Sequence, residues 1–331
     1  MDNAGNLFGE LVNRPQGLYA HGIFDAMSAI VSQAAGHEAC YVGGYAGAAS
    51  DGLPDMGIHT MPEVLANASY IARAVNIPLF VDIDDGYGGI HQTIRTVESF
   101  LSLPNIGVLH IEDQKYPKRC GHIAGKAVVP LKQFVGKLKA AIKTRNQLDS
   151  STKILARTDA FNAAGGHKDN LLGGDIKEAV LRGVAYADAG ADYLWCELHT
   201  SNPRPLEAFA EGVHKHHPNM IIAVNLSPSF SSEDWHTVGA ELNTNSLHEM
   251  GCKLLFCTYT ALLASMRAVY DSAIGFGVNP VSALKVQKKS LEGHPMEVVN
   301  RIVKVHKYQA TEREIEEEAE ERQKTSEGFG S

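Results

Sequence analysis

The sequence predicts an α/β fold, a (β/α)8 TIM-type barrel, and three observations lead there. Short apolar, β-branched runs alternate with longer segments of helical character, and the alternation occurs eight times over roughly 250 residues. Such alternation implies parallel strands joined by helical crossovers. No G-x-G-x-x-G fingerprint follows the first strand, which disfavours the main alternative, a doubly wound open sheet.

In chain order, the first unit pairs a strand at 18–24 (LYAHGIF) with a helix near 26–35. The second strand, 39–44 (ACYVGG), runs into Gly43-Gly44-Tyr45-Ala46-Gly47, then a helix near 61–75. That glycine-rich stretch leaves two readings open, a ligand cradle of backbone N–H groups or a plain tight turn. Strands at 78–83 (PLFVDI), 107–112 (GVLHIE) and 153–157 (KILAR) precede helices near 91–103, 131–145 and 175–189. Strands at 192–197 (DYLWCE), 220–225 (MIIAVN) and 252–257 (CKLLFC) precede helices near 204–217, 236–250 and 259–274. The barrel is expected to occupy 1–275, followed by a helical extension over 276–310 that breaks at Gly293–Pro295. An acidic tail, 311–331, is expected to be a solvated helix fading into a disordered end.

Composition narrows the function. Hydrophobic residues make up 44% and charged residues 21%, so an ordered soluble core is expected. The net charge of -8 disfavours nucleic acid as a partner, because phosphate binding needs a surplus of Lys and Arg. Five cysteines, at 40, 120, 196, 252 and 257, contain no C-x-x-C, which reads as a reduced, cytoplasmic protein. The N-terminus lacks the pattern of a signal peptide, and no run approaches the roughly 20 apolar residues of a membrane span.

In such barrels the site lies at the C-terminal strand ends. Here those ends carry Gly43-Gly44-Tyr45, Asp82 to Gly88, His110-Ile111-Glu112, Arg157-Thr158-Asp159, Glu197, Asn225 with Ser227 and Ser229, and Thr258. Asp82 and Asp84 are spaced i, i+2, which on a strand puts both on one face. With Glu112 nearby they suit a hard divalent cation such as Mg²⁺. Arg157 offers a planar fork for a substrate carboxylate, or an ion pair with Glu197 or Asp159. Asn225, Ser227 and Ser229 read as donors to a second carboxylate or as caps of the next helix. His110 reads as a satisfied core imidazole as readily as a site residue. Cys120 lies behind Lys118 and Arg119 and beside Gly121, two residues before His122. Flanking cations favour the thiolate, so a lowered pKa and a reactive Cys120 are expected.

Together KRCGHIAGK (118–126), HIEDQ (110–114), DIDDGYGG (82–89), ARTDA (156–160), WCE (195–197) and NLSPSF (225–230) resemble the isocitrate lyase branch of the isocitrate lyase / phosphoenolpyruvate mutase superfamily. The motifs span about 40–260, essentially the whole barrel. The resemblance implies a Mg²⁺-dependent carbon–carbon lyase, with Mn²⁺ as an alternative, that cleaves isocitrate to glyoxylate and succinate. It also implies a homo-oligomer, a tetramer by preference, with C-terminal helices exchanged between subunits.

Carried over residue by residue, Cys120 becomes the general acid, and His122, Arg157, Asn225, Ser227, Ser229 and Thr258 become anion donors. Gly43, Gly44, Tyr45, Gly121 and Glu197 join the substrate site. Tyr41 matches a tyrosine that assists at the substrate hydroxyl, and Asp55 an acid that supports the metal held by Asp82, Asp84 and Glu112. Trp195 and Phe256 match bulky pocket positions of isocitrate-specific members. The alternative substrates are 2-methylisocitrate and other substituted malates, and the remote alternative is a non-catalytic binding barrel. One departure concerns the site itself: Gly43 stands where the family has Ser.

Overall fold

Along each strand the inward-facing side chains follow the period of two that a pleated strand imposes, and these columns change character from apolar to polar. Phe80 is followed by Asp82, Val108 by His110 and Glu112, and Leu155 by Arg157. Tyr193 and Trp195 are followed by Glu197, Ala223 by Asn225 and Ser227, and Leu254 and Phe256 by Thr258. A computed structural model, which describes residues 3–167, 174–200, 202–227 and 244–325, arranges these columns in one closed barrel.

Its eight strands are β1 (Leu18–Ile23), β2 (Cys40–Val42), β3 (Leu79–Asp82), β4 (Ile106–Glu112), β5 (Lys153–Thr158), β6 (Tyr193–Cys196), β7 (Ile221–Asn225) and β8 (Cys252–Cys257). Every neighbouring pair is parallel, and β8 closes on β1 with Leu18 opposite Leu254. The fold is the expected (β/α)8 barrel.

Two apolar layers hold it. Inside the barrel, Leu18, Tyr41, Phe80, Val108, Leu155, Trp195, Leu254 and Phe256 form one buried cluster. Outside, the alternate residues Val81, Leu109, Ile111, Ile154, Leu194 and Leu255 pack against the helix layer. That layer comprises α2 (Ala26–Ala34), α4 (Met61–Ala74), α5 (Ile90–Leu101), α6 (Leu131–Leu148), α7 (Ile176–Asp188), α8 (Pro203–His214) and α9 (Thr244–Glu249). Helix starts follow capping chemistry: Asp25 accepts from the Ser28 N–H, and the Glu63 carboxylate accepts from the Thr60 N–H and hydroxyl at 2.8 and 2.6 Å.

Two helices were not anticipated. α1 (Ala4–Val12) sends Phe8, Leu11 and Val12 into the interior cluster. α3 (Gly44–Ser50) begins directly after β2, with Gly43 as its N-cap residue.

The chain divides into two compact units, 1–264 and 265–331. α10 (Thr260–Val278) runs across the division, and the second unit continues with α11 (Pro280–Leu291), α12 (Val299–Ile302), α13 (Val305–Ile315) and α14 (Ala319–Thr325). Its apolar side chains Val269, Tyr270, Ile274, Val278, Val281 and Val286 are exposed. The acidic stretch is helical on both sides of Glu316–Glu318, and Arg322 pairs with Glu312 at 3.0 Å and with Glu316. No described helix is long and apolar enough to cross a membrane.

Candidate active site

The polar ends of the columns meet around one small cavity of about 30 Å³. Tyr41, Gly44 and Tyr45 line it from the β2–α3 corner, Asp55 from the following loop, and Asp82 from β3. Cys120, Gly121 and His122 approach on the loop after β4. Arg157, Trp195, Glu197, Asn225, Ser227 and Thr258 complete the wall. Tyr259 also lines the cavity, with its ring 4.9 Å from that of Tyr45. Sequence reasoning passed over Tyr259, which follows directly on Thr258. Gly43, Asp84, Glu112 and Phe256 lie just behind the lining, and Ser229 falls outside the described residues. Phe256 packs beneath it, against Tyr41 (ring centroids 4.6 Å), Phe80 (5.2 Å) and Trp195 (4.9 Å).

The acids do not form a simple strand pair. β3 ends at Asp82, and Asp84 follows in a left-handed conformation (φ 49°) with its N–H donated to Asp82 Oδ1 at 2.9 Å. Asp82 Oδ2 accepts from Gly44 N–H at 3.2 Å and from the Tyr41 hydroxyl at 3.4 Å. His110 Nδ1 lies 3.2 Å from Asp82 Oδ1, so His110 is a buried imidazole that serves the site from below. Burial alone would raise the Asp82 carboxyl, but His110, Lys118 and Arg157 outweigh it and hold it far below the usual range. Asp84 goes the other way: burial pushes it up to about 7, against the pull of Lys118.

Lys118 is the residue whose role the sequence disguised. Its ammonium is buried, 2.5 Å from Asp55 Oδ1 and in contact with Asp84. Arg119 turns its guanidinium back to the carbonyl of Ala124 at 3.0 Å. Neither cation therefore activates the thiol. The expected lowering of the Cys120 pKa is reversed: burial, reinforced by Asp55, pushes it up to about 12. Cys120 is a thiol that keeps its proton.

Arg157 is held on three sides. Its Nε and Nη2 donate to Asp159 at 2.8 and 2.9 Å, Nη1 lies 3.3 Å from Glu112, and Nη2 lies 3.9 Å from Glu197. Its guanidinium also stacks 4.3 Å from the Trp195 ring centroid. The ion-pair reading of Arg157 therefore holds. Glu197 Oε1 lies 2.9 Å from His122 Nε2. Burial opposes ionisation of Glu197, yet Arg157 and then His122 keep its carboxyl below the ordinary value. Thr258 donates to Asn225 Oδ1 at 3.0 Å, which fixes the orientation of that amide.

Charge is unbalanced here. Among the described residues, the buried acids Asp55, Asp82, Asp84, Glu112, Asp159 and Glu197 face the fixed cations Lys118, Lys126 and Arg157. Glu112 Oε1 is buried with no donor among the described residues, and burial raises its carboxyl well above the usual value. No three His, Cys, Asp or Glu side chains converge into a ready-made metal cage among the described residues. Mg²⁺, however, usually takes only one or two carboxylates and completes its shell with water and substrate. An excess of buried oxygen donors around Asp82 and Asp84 fits such a cation.

The profile of the phosphoenolpyruvate phosphomutase family matches residues 8–276. The chain belongs to the phosphoenolpyruvate mutase / isocitrate lyase superfamily. It is 34% identical to the isocitrate lyase of Haloferax volcanii over 97% of this chain and 89% of that one. It is 38% identical to the 2-methylisocitrate lyase of Bacillus subtilis over 57% of this chain and 58% of that protein. Among solved structures, a 2,3-dimethylmalate lyase superposes with a TM-score of 0.75 at 26% identity, covering 94% of each chain. Within this superfamily the chain is a lyase, an enzyme that breaks carbon–carbon bonds.

Proposed function

We propose that this superfamily member is a Mg²⁺-dependent isocitrate lyase, releasing glyoxylate and succinate by retro-aldol cleavage. One observation carries the reading: the Cys120 side chain and the Asp82 carboxylate line the same cavity, where burial favours the thiol over the thiolate. The relative matched over nearly the whole chain, an isocitrate lyase, supports the choice of substrate.

Asp82 and Asp84 are the residues that would hold the cation, with Asp55 and Glu112 behind them, and Mn²⁺ would suit the same donors. When bound, the cation supplies polarisation of the substrate hydroxyl and its adjacent carboxylate. Tyr41 has its hydroxyl proton held in place by burial and by Asp82, so it acts at the substrate hydroxyl as a donor. A base takes the substrate hydroxyl proton, the carbon–oxygen bond becomes the glyoxylate carbonyl as the carbon–carbon bond breaks, and the electron pair moves into the adjacent carboxylate of the departing succinate. Cys120 then passes its thiol proton to that carbanion and is left as thiolate. His122, Arg157, Asn225, Ser227, Ser229 and Thr258 are assigned to the developing negative charge. Gly44, Tyr45 and Gly121 contribute backbone groups to the wall, while Trp195 shapes the pocket.

A second reading, 2-methylisocitrate lyase, is supported by the Bacillus subtilis relative. Incubating the protein with Mg²⁺ and each substrate separates them. Glyoxylate from isocitrate supports the first reading, pyruvate from 2-methylisocitrate supports the second, and no turnover of any substituted malate rejects both. The apolar side chains exposed on the second unit support a homo-oligomer, with a tetramer preferred and 276–310 as the associating extension. Light scattering on the eluting protein tests that assembly. The cytoplasm is the compartment proposed for the enzyme.

A further inference from the structure

Lys126 closes the KRCGHIAGK motif, and the chemistry proposed above gives it no task. It is 2% exposed, an unusual place for an ammonium. Its Nζ donates to the carbonyl of Gly121 at 2.7 Å and to Asp159 Oδ1 at 2.5 Å. Its own carbonyl is anchored by the Ala164 N–H at 2.7 Å. One side chain thus ties the residue after Cys120 to the strand-end carboxylate that grips Arg157.

The opposite face of Gly121 explains why a tie matters. A Cβ on Gly121 would lie 2.5 Å from Arg157 Nη2 and 2.5 Å from Glu197 Oε1. The loop backbone therefore rests directly on those two side chains, and Lys126 holds it there from its carbonyl side. Asp159 is itself braced. Its N–H donates to Asp113 Oδ1 at 2.9 Å, while Asp113 Oδ2 accepts from Tyr186 at 2.6 Å, Thr158 at 2.8 Å and Arg182 at 3.1 Å. Tyr186 and Arg182 belong to α7, so the anchor reaches the outer helix layer.

We propose that Lys126 is a positioning residue that latches the Cys120 loop onto Asp159, so that Cys120, His122 and Arg157 keep one mutual arrangement. Its effect on turnover rests on Cys120 being the proton donor; the latch itself does not. A charge-assisted hydrogen bond to a buried carbonyl is costly to lose. Lys126→Met removes both bonds with an apolar chain of similar length, and Asp159 keeps Arg157 as its partner.

The test is hydrogen exchange by mass spectrometry together with iodoacetamide labelling of Cys120, read by peptide mapping at one fixed pH. Lys126→Met is expected to exchange amides of 119–125 about tenfold faster or more and to label Cys120 faster by a similar factor. Strand amides of β4 and β5 keep their protection and report that the barrel is folded. Lys126→Gln, with an amide on a shorter arm, is read in the same way should the methionine variant not fold. A folded variant whose loop exchanges and labels like the parent overturns the latch. Neither readout uses turnover, so an inactive parent enzyme would count against the lyase reading and leave the latch to be judged alone.

Discussion

Gly43 lies directly against Tyr41: a Cβ at position 43 would sit 2.6 Å from Tyr41 Cε1 and 3.2 Å from Cζ. The Gly43 backbone is ordinary (φ -96°, ψ 146°), so the ring, not the main chain, excludes a side chain there. Tyr41 in turn reaches Asp82 at 3.4 Å and packs on Phe256 at 4.6 Å. A serine at this position would push the ring away from Asp82. Gly43→Ser should therefore lower kcat, by about tenfold to a hundredfold if the hydroxyl moves by an ångström. Steady-state kinetics beside Tyr41→Phe check it. A serine variant with parent kcat would mean that the ring yields without consequence.

Replacing Cys120 with Ser tests the proton donor. A thiol pushed up to about 12 stays protonated at neutral pH and can be delivered to a carbanion. Serine fills the space with a far weaker acid. The expected loss in kcat is about a hundredfold or more, the usual scale for a general acid, with KM little changed. Full activity in the variant would falsify the assignment.

Much of the fold could be read before the structure because β-strands and the barrel share one periodicity. Apolar residues such as Phe80, Val108 and Leu155 mark the interior, and the next residue in each column, Asp82, His110 or Arg157, marks the mouth. That is why the cavity wall was legible. What was hidden depends on contacts distant in sequence. Lys118 looked like an activator of Cys120 because it is two residues away, yet its ammonium is spent on Asp55 and Asp84. Asp84 looked like a strand partner of Asp82 until its left-handed backbone took it off the strand. α1 was invisible because a short helix carrying Phe8 gains stability only from the barrel floor it covers.

Trp195 and Phe256, which sequence reasoning placed side by side in the pocket, should respond differently. Trp195 lines the cavity and stacks on Arg157, so Trp195→Phe opens room beside the guanidinium. It should improve kcat/KM for 2-methylisocitrate relative to isocitrate by about tenfold, the scale set by one methyl group. Phe256 lies beneath the wall, so Phe256→Leu should cost about 1–2 kcal/mol of stability and leave that ratio nearly unchanged. Paired kinetics and thermal melts distinguish the two. A specificity change in Phe256→Leu larger than in Trp195→Phe would contradict the placement.

Asp84 gives cation binding a pH signature with a definite sign. In the metal-free fold its carboxyl is raised to about 7, above the ordinary value of roughly 4. A group raised by folding stabilises fully below its unfolded value, and that contribution disappears as pH climbs through about 7. Asp82, held far below the usual range, behaves oppositely and loses its contribution only in strong acid. Between pH 6 and 8 the Asp84 contribution therefore falls, and Glu112, also raised by burial, acts in the same direction. A divalent cation needs the carboxylate form, so its binding displaces the Asp84 proton. The protein in chelator should melt at a lower temperature at pH 8 than at pH 6, and Mg²⁺ should raise the melting temperature more at pH 8. The apparent affinity for Mg²⁺ should weaken by roughly an order of magnitude between pH 7.5 and 5.5. Calorimetric titration at both values measures it. An affinity independent of pH would remove Asp84 from the set of residues that hold the cation.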